Sequence, residues 1–199
     1  MTATGDPADV VVPPPARHVV LIGLMGSGKT TVGRRLARLL DRGFVDADDA
    51  LEEIADRSIA DIFGSDGEEA FRAMEADVLA ELLEHHEPTV IAAGGGVVLH
   101  PDSRERLCRP GVTAVWLDAS PAFLASRVAP KPHRPLLQGD QSPREVLERL
   151  HQQRAALYAE VADVTIDVEP FHRDEEQPKK ALAHRLAAVV SAHEAEVPA

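Results

Sequence analysis

Gly23-Leu24-Met25-Gly26-Ser27-Gly28-Lys29-Thr30 fills the pattern G-x-x-x-x-G-K-[ST], and it does so between an apolar run and an amphipathic one. The pattern demands a strand, a tight glycine turn and a helix, in that order. From His18, the run Val19-Val20-Leu21-Ile22 is apolar on both faces, as a buried parallel strand requires. Beyond the glycines, Val32, Leu36, Leu39 and Leu40 fall at helical spacing among Arg34, Arg35 and Arg38, which predicts a helix over Thr30–Leu40. The glycines let the backbone curl so that its N–H groups and the helix N-terminus converge on a polyphosphate with no side chain in the way. Gly26, Ser27, Gly28 and Thr31 then belong to an ATP cradle, and Lys29 reaches the β and γ oxygens. Thr30 directs its hydroxyl at Mg²⁺, which bridges the same oxygens.

Short apolar segments recur at Gly43–Val45, Thr89–Ala93, Val112–Leu117 and Val164–Val168. Helical patterns separate them at Asp49–Ala55, Gly67–His86, Pro121–Val128 and Pro143–Val161. Such alternation predicts an α/β fold of the P-loop NTPase type: a three-layer sandwich with about five parallel strands and helices on both faces. At 199 residues the chain has room for one domain, expected over residues 18–190 and ending in an amphipathic helix from about Lys179 to Val190. Residues 1–17, with three consecutive prolines, read as a disordered tail, and residues 191–199 as a flexible polar one. The stretch from Ala129 to Ser142, with Pro130, Pro132, Pro135 and Gly139, reads as a long mobile lid loop.

Composition removes several function classes. Lys and Arg total 21 against 33 Asp and Glu, a net charge of −12 that repels nucleic acid phosphates and anionic membrane surfaces, so neither partner is expected. The single cysteine, Cys108, has no intrachain disulfide partner, which fits the reducing cytoplasm, and a monomer is expected. The chain contains no asparagine, so the Asn-Lys-x-Asp element by which switch GTPases select guanine is missing. Asp118, after Val115-Trp116-Leu117, superficially suits the acid of a motor ATPase. However, Asp118-Ala119-Ser120-Pro121 opens a helix, and capping accounts for Asp118 or Ser120. The nine histidines show no zinc-ligand spacing.

The remaining candidates concern a second substrate. Asp46 and Asp48 follow the second strand, and with period two both carboxylates leave on the same side, at the carboxyl edge where open α/β sheets bind ligands. Asp46 suits Mg²⁺, and Asp48 could accept the proton of an attacking hydroxyl; the alternative is that one of Asp46, Asp48 or Asp49 caps the next helix. Arg154 interrupts the apolar stripe Leu147, Leu150, Leu157, Tyr158 and Val161 in register. It must either meet a structural carboxylate or open into a cleft and grip an anion through its planar fork. Arg72 has Glu68 and Glu75 within helical reach, and spacing alone favours an exposed ion pair. Gly94-Gly95-Gly96, ending the third strand, is either a ligand-contacting backbone or a flexible turn. Arg134 in the lid and Arg127 at the end of the preceding helix either place charge on the transferring phosphoryl group or are solvated surface groups.

The ordered set as a whole resembles the shikimate kinase family over roughly Val19 to Val168. It comprises Asp46-Ala47-Asp48, Ser58-Ile59-Ala60-Asp61-Ile62-Phe63, Phe71-Arg72 with Glu75, Gly94-Gly95-Gly96, Arg134-Pro135-Leu136-Leu137, and Arg154 with Tyr158. The resemblance implies a phosphotransferase that moves the γ-phosphoryl of ATP to the 3-hydroxyl of shikimate, a step towards chorismate and the aromatic amino acids. It further implies that Asp48 holds shikimate hydroxyls and orients or deprotonates the nucleophile, with Arg72, Arg154 and the Gly94–Gly96 backbone holding the ligand. By the same resemblance Phe63, Phe71 and Glu75 shape the acceptor pocket, Arg134 lies near the phosphates and Arg127 packs on the adenine. The family often has a proline two residues after the Arg154 position, where this chain has Ala156. Kinases of gluconate, a cyclitol or a nucleoside monophosphate, or a slowly hydrolysing regulatory module, are the competing readings of the phosphate loop. Lys29→Met should abolish phosphoryl transfer while leaving the circular dichroism spectrum and melting transition of the fold in place.

Overall fold

The apolar run ahead of the phosphate loop becomes the central strand of a parallel sheet. The computed structural model describes residues 18–128 and 140–196. β1 (His18–Ile22) is buried along its whole length and pairs in parallel with β3 (Thr89–Ala92) on one side and β4 (Val112–Asp118) on the other. β2 (Gly43–Asp46) and β5 (Val164–Asp167) complete a five-stranded sheet in the order β2-β3-β1-β4-β5. Because β1 feeds β2 across the intervening β3, the strand order reverses beside β1, where the carboxyl ends of open α/β sheets form ligand crevices. The register sets Val19 beside Val90 and Phe44 beside Val90 in turn, so the segments leaving β1, β3 and β2 emerge at one edge.

Each helix start has a local cause. Gly28, with φ 100°, stands at the N-terminus of α1 (Lys29–Leu40). Asp46 caps α2 (Ala47–Ala55), Ser58 caps α3 (Ile59–Ser65) and Ser120 caps α6 (Pro121–Arg127), each side chain accepting a backbone N–H of the first turn. α4 spans Gly67–Leu83 and α5 spans Pro101–Leu107, after a single 3-10 turn at Val97–Leu99. Ser142 and Glu145 form a reciprocal capping box at the head of α7 (Pro143–Val161). α8 (Glu169–Asp174) and α9 (Pro178–Glu196) follow β5. α1 packs on α9, while α4, α5 and α7 gather around the 3-10 turn. The core between these layers is aliphatic: Leu21, Ile22, Leu36, Ile91, Leu117, Leu147 and Leu186 are fully buried. Among the described residues, no helix is long and apolar enough to cross a membrane.

The five strands and the alternation of helices agree with the sequence reading, and four differences have physical causes. β2 runs through Asp46 and α2 begins at Ala47, because the Asp46 carboxylate caps that helix instead of Asp48 or Asp49. α4 stops at Leu83, where His85 and His86 lie beyond the helix. The short helices α3, α5 and α8 fall where no apolar periodicity is long enough to announce them. The flexible end expected from residue 191 is instead the last part of α9 as far as Glu196. The cause is tertiary: Arg42 donates to both carboxylate oxygens of Glu194 at 2.8 and 2.7 Å, tying this end of α9 to the turn between α1 and β2. The expected tail at 1–17 and the lid residues 129–139, Arg134 included, lie outside the described residues.

Both partners of the Arg42–Glu194 fork are largely shielded, with side chains 14 and 13 % exposed. Glu194→Ala should lower stability by about 1–3 kcal/mol, read as a reduced urea midpoint with an unchanged slope.

Candidate active site

The phosphate loop is built by left-handed glycines. Gly26 and Gly28 have φ of 89° and 100°, conformations that side chains disfavour, and Gly23 has φ 133°. A Cβ at Gly23 would also lie 2.6 Å from the Leu117 carbonyl oxygen, so the loop can leave β1 only without one. Lys29 Nζ donates to the carbonyl oxygens of Gly23 at 2.7 Å and Leu24 at 3.2 Å, folding the ammonium over the loop. Thr30 donates its hydroxyl to Asp46 Oδ2 at 2.7 Å. The other Asp46 oxygen accepts the Asp48 N–H, so one carboxylate serves the helix start and the Thr30 hydroxyl together.

α4 carries Phe71, Arg72 and Glu75, all three buried. Arg72 is only 9 % exposed, against the surface pair that spacing favours, although both partners lie where spacing put them. Its Nη1 donates to Glu75 Oε2 at 2.7 Å and its Nη2 to Glu68 Oε1 at 3.1 Å. The guanidinium also lies over the Phe71 and Phe63 rings, 4.9 and 5.8 Å from their centroids. Burial works against the Arg72 charge, yet Glu75 and Glu68 outweigh it and hold its pKa above the ordinary value. Arg154 differs. It is 3 % exposed, and among the described residues it makes no ion pair; Nη1 donates instead to the Gly95 carbonyl at 2.7 Å. Burial, with Arg72 as a like charge nearby, lowers its pKa.

The glycine triplet is a surface on which these charges rest. A Cβ on Gly96 would fall 2.0 Å from Arg72 Nη1, and one on Gly94 would fall 2.1 Å from Glu75 Oε1 and 2.8 Å from Asp48 Oδ1. Glu75 Oε1 and Asp48 Oδ1 thus converge behind Gly94. Burial, then Glu75 and then Asp46, raise the Asp48 pKa to about 7, with Lys29 and Arg72 pulling the other way. Glu75 is also raised, chiefly by burial.

These groups face one cleft of about 550 Å³. Of the residues singled out from the sequence, Gly26, Gly28, Lys29, Thr30, Thr31, Asp46 and Arg127 line it, and so do Asp48, Phe63, Phe71, Arg72, Glu75, Gly95, Gly96 and Arg154. Ser27 and Gly94 do not: Ser27 is buried beneath the loop and Gly94 backs the two carboxylates. Arg127 Nε donates to the Gly26 carbonyl at 3.0 Å and its guanidinium stands 5.2 Å from the centre of the Phe123 ring. Asp118 does not line the cleft; it faces His151 at 3.8 Å, and Ser120 is the helix cap. Met25, Asp49, Glu52, Ile59, Ala92 and Ala93 line the cleft although the sequence reading gave none of them a catalytic or binding role. A signal for Glu52 was present, since it follows Asp48 by four residues on one helical face; it accepts the Ile59 N–H at 2.8 Å.

A phosphate loop and two buried guanidiniums in one cleft narrow the comparison, and a family model for shikimate kinase matches residues 25–189. The chain belongs to the shikimate kinase family. A shikimate kinase of Paramagnetospirillum magneticum is 47 % identical over 152 residues, covering 76 % of this chain and 75 % of the relative. One from Vibrio cholerae is 38 % identical over 177 residues, 89 % of this chain and 97 % of the relative. Among solved structures, shikimate kinase from Acinetobacter baumannii in complex with shikimate superposes with a TM-score of 0.81 at 34 % identity, covering 90 % of this chain and 95 % of that one. A gluconokinase from Sinorhizobium meliloti shares the fold at a TM-score of 0.55 and 25 % identity, over 90 % of this chain and 97 % of that one.

The raised Asp48 pKa makes stability pH-dependent and gives a test of any part Asp48 plays in the rate. In the folded protein Asp48 ionises near pH 7 instead of near its ordinary 3.8, so its ionised form is penalised by folding. Asp48→Asn should therefore stabilise the protein at pH 8, the gain shrinking as pH falls through 7 towards 4, measured by urea denaturation. For the wild type, kcat/KM for the acceptor should rise with pH along a limb centred near 7, and Glu75→Gln should move that limb to lower pH.

Proposed function

We infer that the protein is an ATP-dependent shikimate kinase that transfers the γ-phosphoryl group of ATP to the 3-hydroxyl of shikimate, giving shikimate 3-phosphate on the route to chorismate. The observation that carries this reading is that Arg154, buried without a carboxylate of its own, lines the same cleft as Asp48 and the phosphate loop. An anionic ring acid supplies the missing negative charge, and charge-assisted, forked hydrogen bonds to a carboxylate are among the strongest a guanidinium makes.

In this reading the acceptor lies against Gly95 and Gly96, its carboxylate towards Arg72 and Arg154 and its ring against Phe63 and Phe71. Asp48 orients the 3-hydroxyl and accepts its proton, a task suited to a carboxyl group whose pKa is near 7. Gly26, Gly28 and Thr31 present the loop to the triphosphate, Ser27 supports it from below, Lys29 neutralises the β and γ oxygens and Arg127 packs on the adenine. Arg134 is assigned to the phosphates by the family resemblance. The Thr30 hydroxyl and the Asp46 carboxylate, 2.7 Å apart at the cleft wall, are hard oxygen donors that fit Mg²⁺. Held there with the nucleotide, Mg²⁺ would supply charge neutralisation for the phosphates. Every side chain used comes from a single chain, so a monomer suffices, and the lone Cys108 suits the cytoplasm.

The test is a coupled assay of ADP release with ATP and Mg²⁺. Shikimate should give turnover at least about tenfold above that with gluconate, quinate or nucleoside monophosphates, and well above the acceptor-free rate. A rate independent of acceptor would mark a nucleotide-hydrolysing module, and a higher rate with another acceptor would reassign the substrate.

A further inference from the structure

Tyr158 takes no part in the site described above. It lines no part of the cleft and is only 1 % exposed, yet its hydroxyl reaches one of the cleft's walls. The phenol donates to the Gly95 carbonyl oxygen at 2.5 Å, the same oxygen that accepts from Arg154 Nη1 at 2.7 Å. The phenol and the guanidinium thus meet at one acceptor, the two donors sharing the Gly95 carbonyl. The hydroxyl therefore fixes the carbonyl on which the guanidinium rests, joining Tyr158, Gly95 and Arg154 through a single oxygen. The ring is fixed as well, with its centre 5.6 Å from that of Trp116. A phenol in this position keeps its proton, because burial above all raises its pKa.

Arg154 needs such a hold. Its Nε has no hydrogen-bond partner among the described residues, and no described carboxylate pairs with it. Glu75 Oε1 is likewise buried without a hydrogen bond and is close enough for its charge to act on Arg154. A long, loosely held arginine beside an unsatisfied carboxylate would turn towards it, and the fork would then be lost to a ligand. We propose that Tyr158 is a positioning residue for acceptor recognition: its hydroxyl locks the Arg154 fork and the Gly95 carbonyl in the geometry that receives the acceptor's carboxylate. The proposal rests on the reading that Arg154 grips that carboxylate.

Three measurements test it, beginning with Tyr158→Phe, which keeps the ring and its packing and removes only the hydroxyl. KM for shikimate should rise about five- to tenfold, with kcat and KM for ATP each changing by less than about twofold. With shikimate methyl ester, which carries no negative charge, wild type and variant should perform alike, a split that general loosening of the fold would not produce. Equal losses on acid and ester overturn the proposal. In parallel, Arg154→Ala should raise KM for shikimate more than tenfold. If it does and Tyr158→Phe does not, the positioning role falls and the acid-gripping role of Arg154 stands; if Arg154→Ala changes nothing, that reading falls as well. The third measurement needs no mutation, because Tyr158 is the chain's one tyrosine, and biosynthetic 3-fluorotyrosine labels it alone. Its ¹⁹F resonance should shift on adding shikimate and stay in place with the methyl ester; an unmoved resonance with both compounds overturns the proposal even if the phenylalanine variant does not fold.

Discussion

The cleft depends on two carbons that are absent. At Gly94 and Gly96 a β-carbon would lie 2.1 Å from Glu75 Oε1 and 2.0 Å from Arg72 Nη1, so an ion pair of α4 is laid directly against the main chain that leaves β3. Burying those charges is tolerable only because they meet each other at 2.7 Å, since an isolated buried charge costs far more than a pair. Once Arg72 is satisfied by Glu75, Arg154 on α7 is left as a buried cation with no ion pair among the described residues. That asymmetry is what the proposed reading uses: an acid would supply the missing charge, and the bare backbone would give it a surface to lie on.

A chain of net charge −12 that takes up two anions is a contradiction only if charge is averaged over the molecule. Coulomb interactions in a partly desolvated cleft outweigh those with charges beyond a Debye length, which salt screens. Lys29, Arg72, Arg127 and Arg154 all line this one cavity. With Asp48 ionising only near pH 7 and Glu75 raised above its ordinary value, the local balance is more positive than a count of side chains suggests.

Much of this was legible in the primary structure, and the parts that were not share a cause. The phosphate loop, the five strands and the break that Arg154 makes in an apolar stripe are local patterns, and the observed elements follow them. The expectation that strand period two sets Asp46 and Asp48 on one side fails, because β2 ends at Asp46 and Asp48 lies in the first turn of α2; the two acids share the cleft because Asp46 caps that helix. Helical spacing found both carboxylate partners of Arg72 but left the group at the surface. Its burial comes from Phe63 on α3 and from Gly96 after β3, neither of which any window around Arg72 contains. The fork from Arg42 to Glu194 spans 152 residues of chain, and this long-range contact is what turns an apparently polar end into ordered helix. Helices α3, α5 and α8 have seven, seven and six residues, too few for periodicity to rise above chance, though Ser58 before Ile59 and Pro101 at the head of α5 were start signals.

The contact between Tyr158 and Trp116 carries one more consequence. These are the chain's single tyrosine and single tryptophan, and their ring centres lie 5.6 Å apart. At that distance light absorbed by the phenol is handed to the indole, so the protein's intrinsic ultraviolet emission comes from one chromophore pair. Trp116 also touches the place where the phosphate loop leaves β1, its Cδ1 3.4 Å from where a β-carbon of Gly23 would stand. The molecule thus contains its own optical gauge, wedged between the nucleotide cradle and the network around Arg154, with no other fluorophore of either kind to blur the signal.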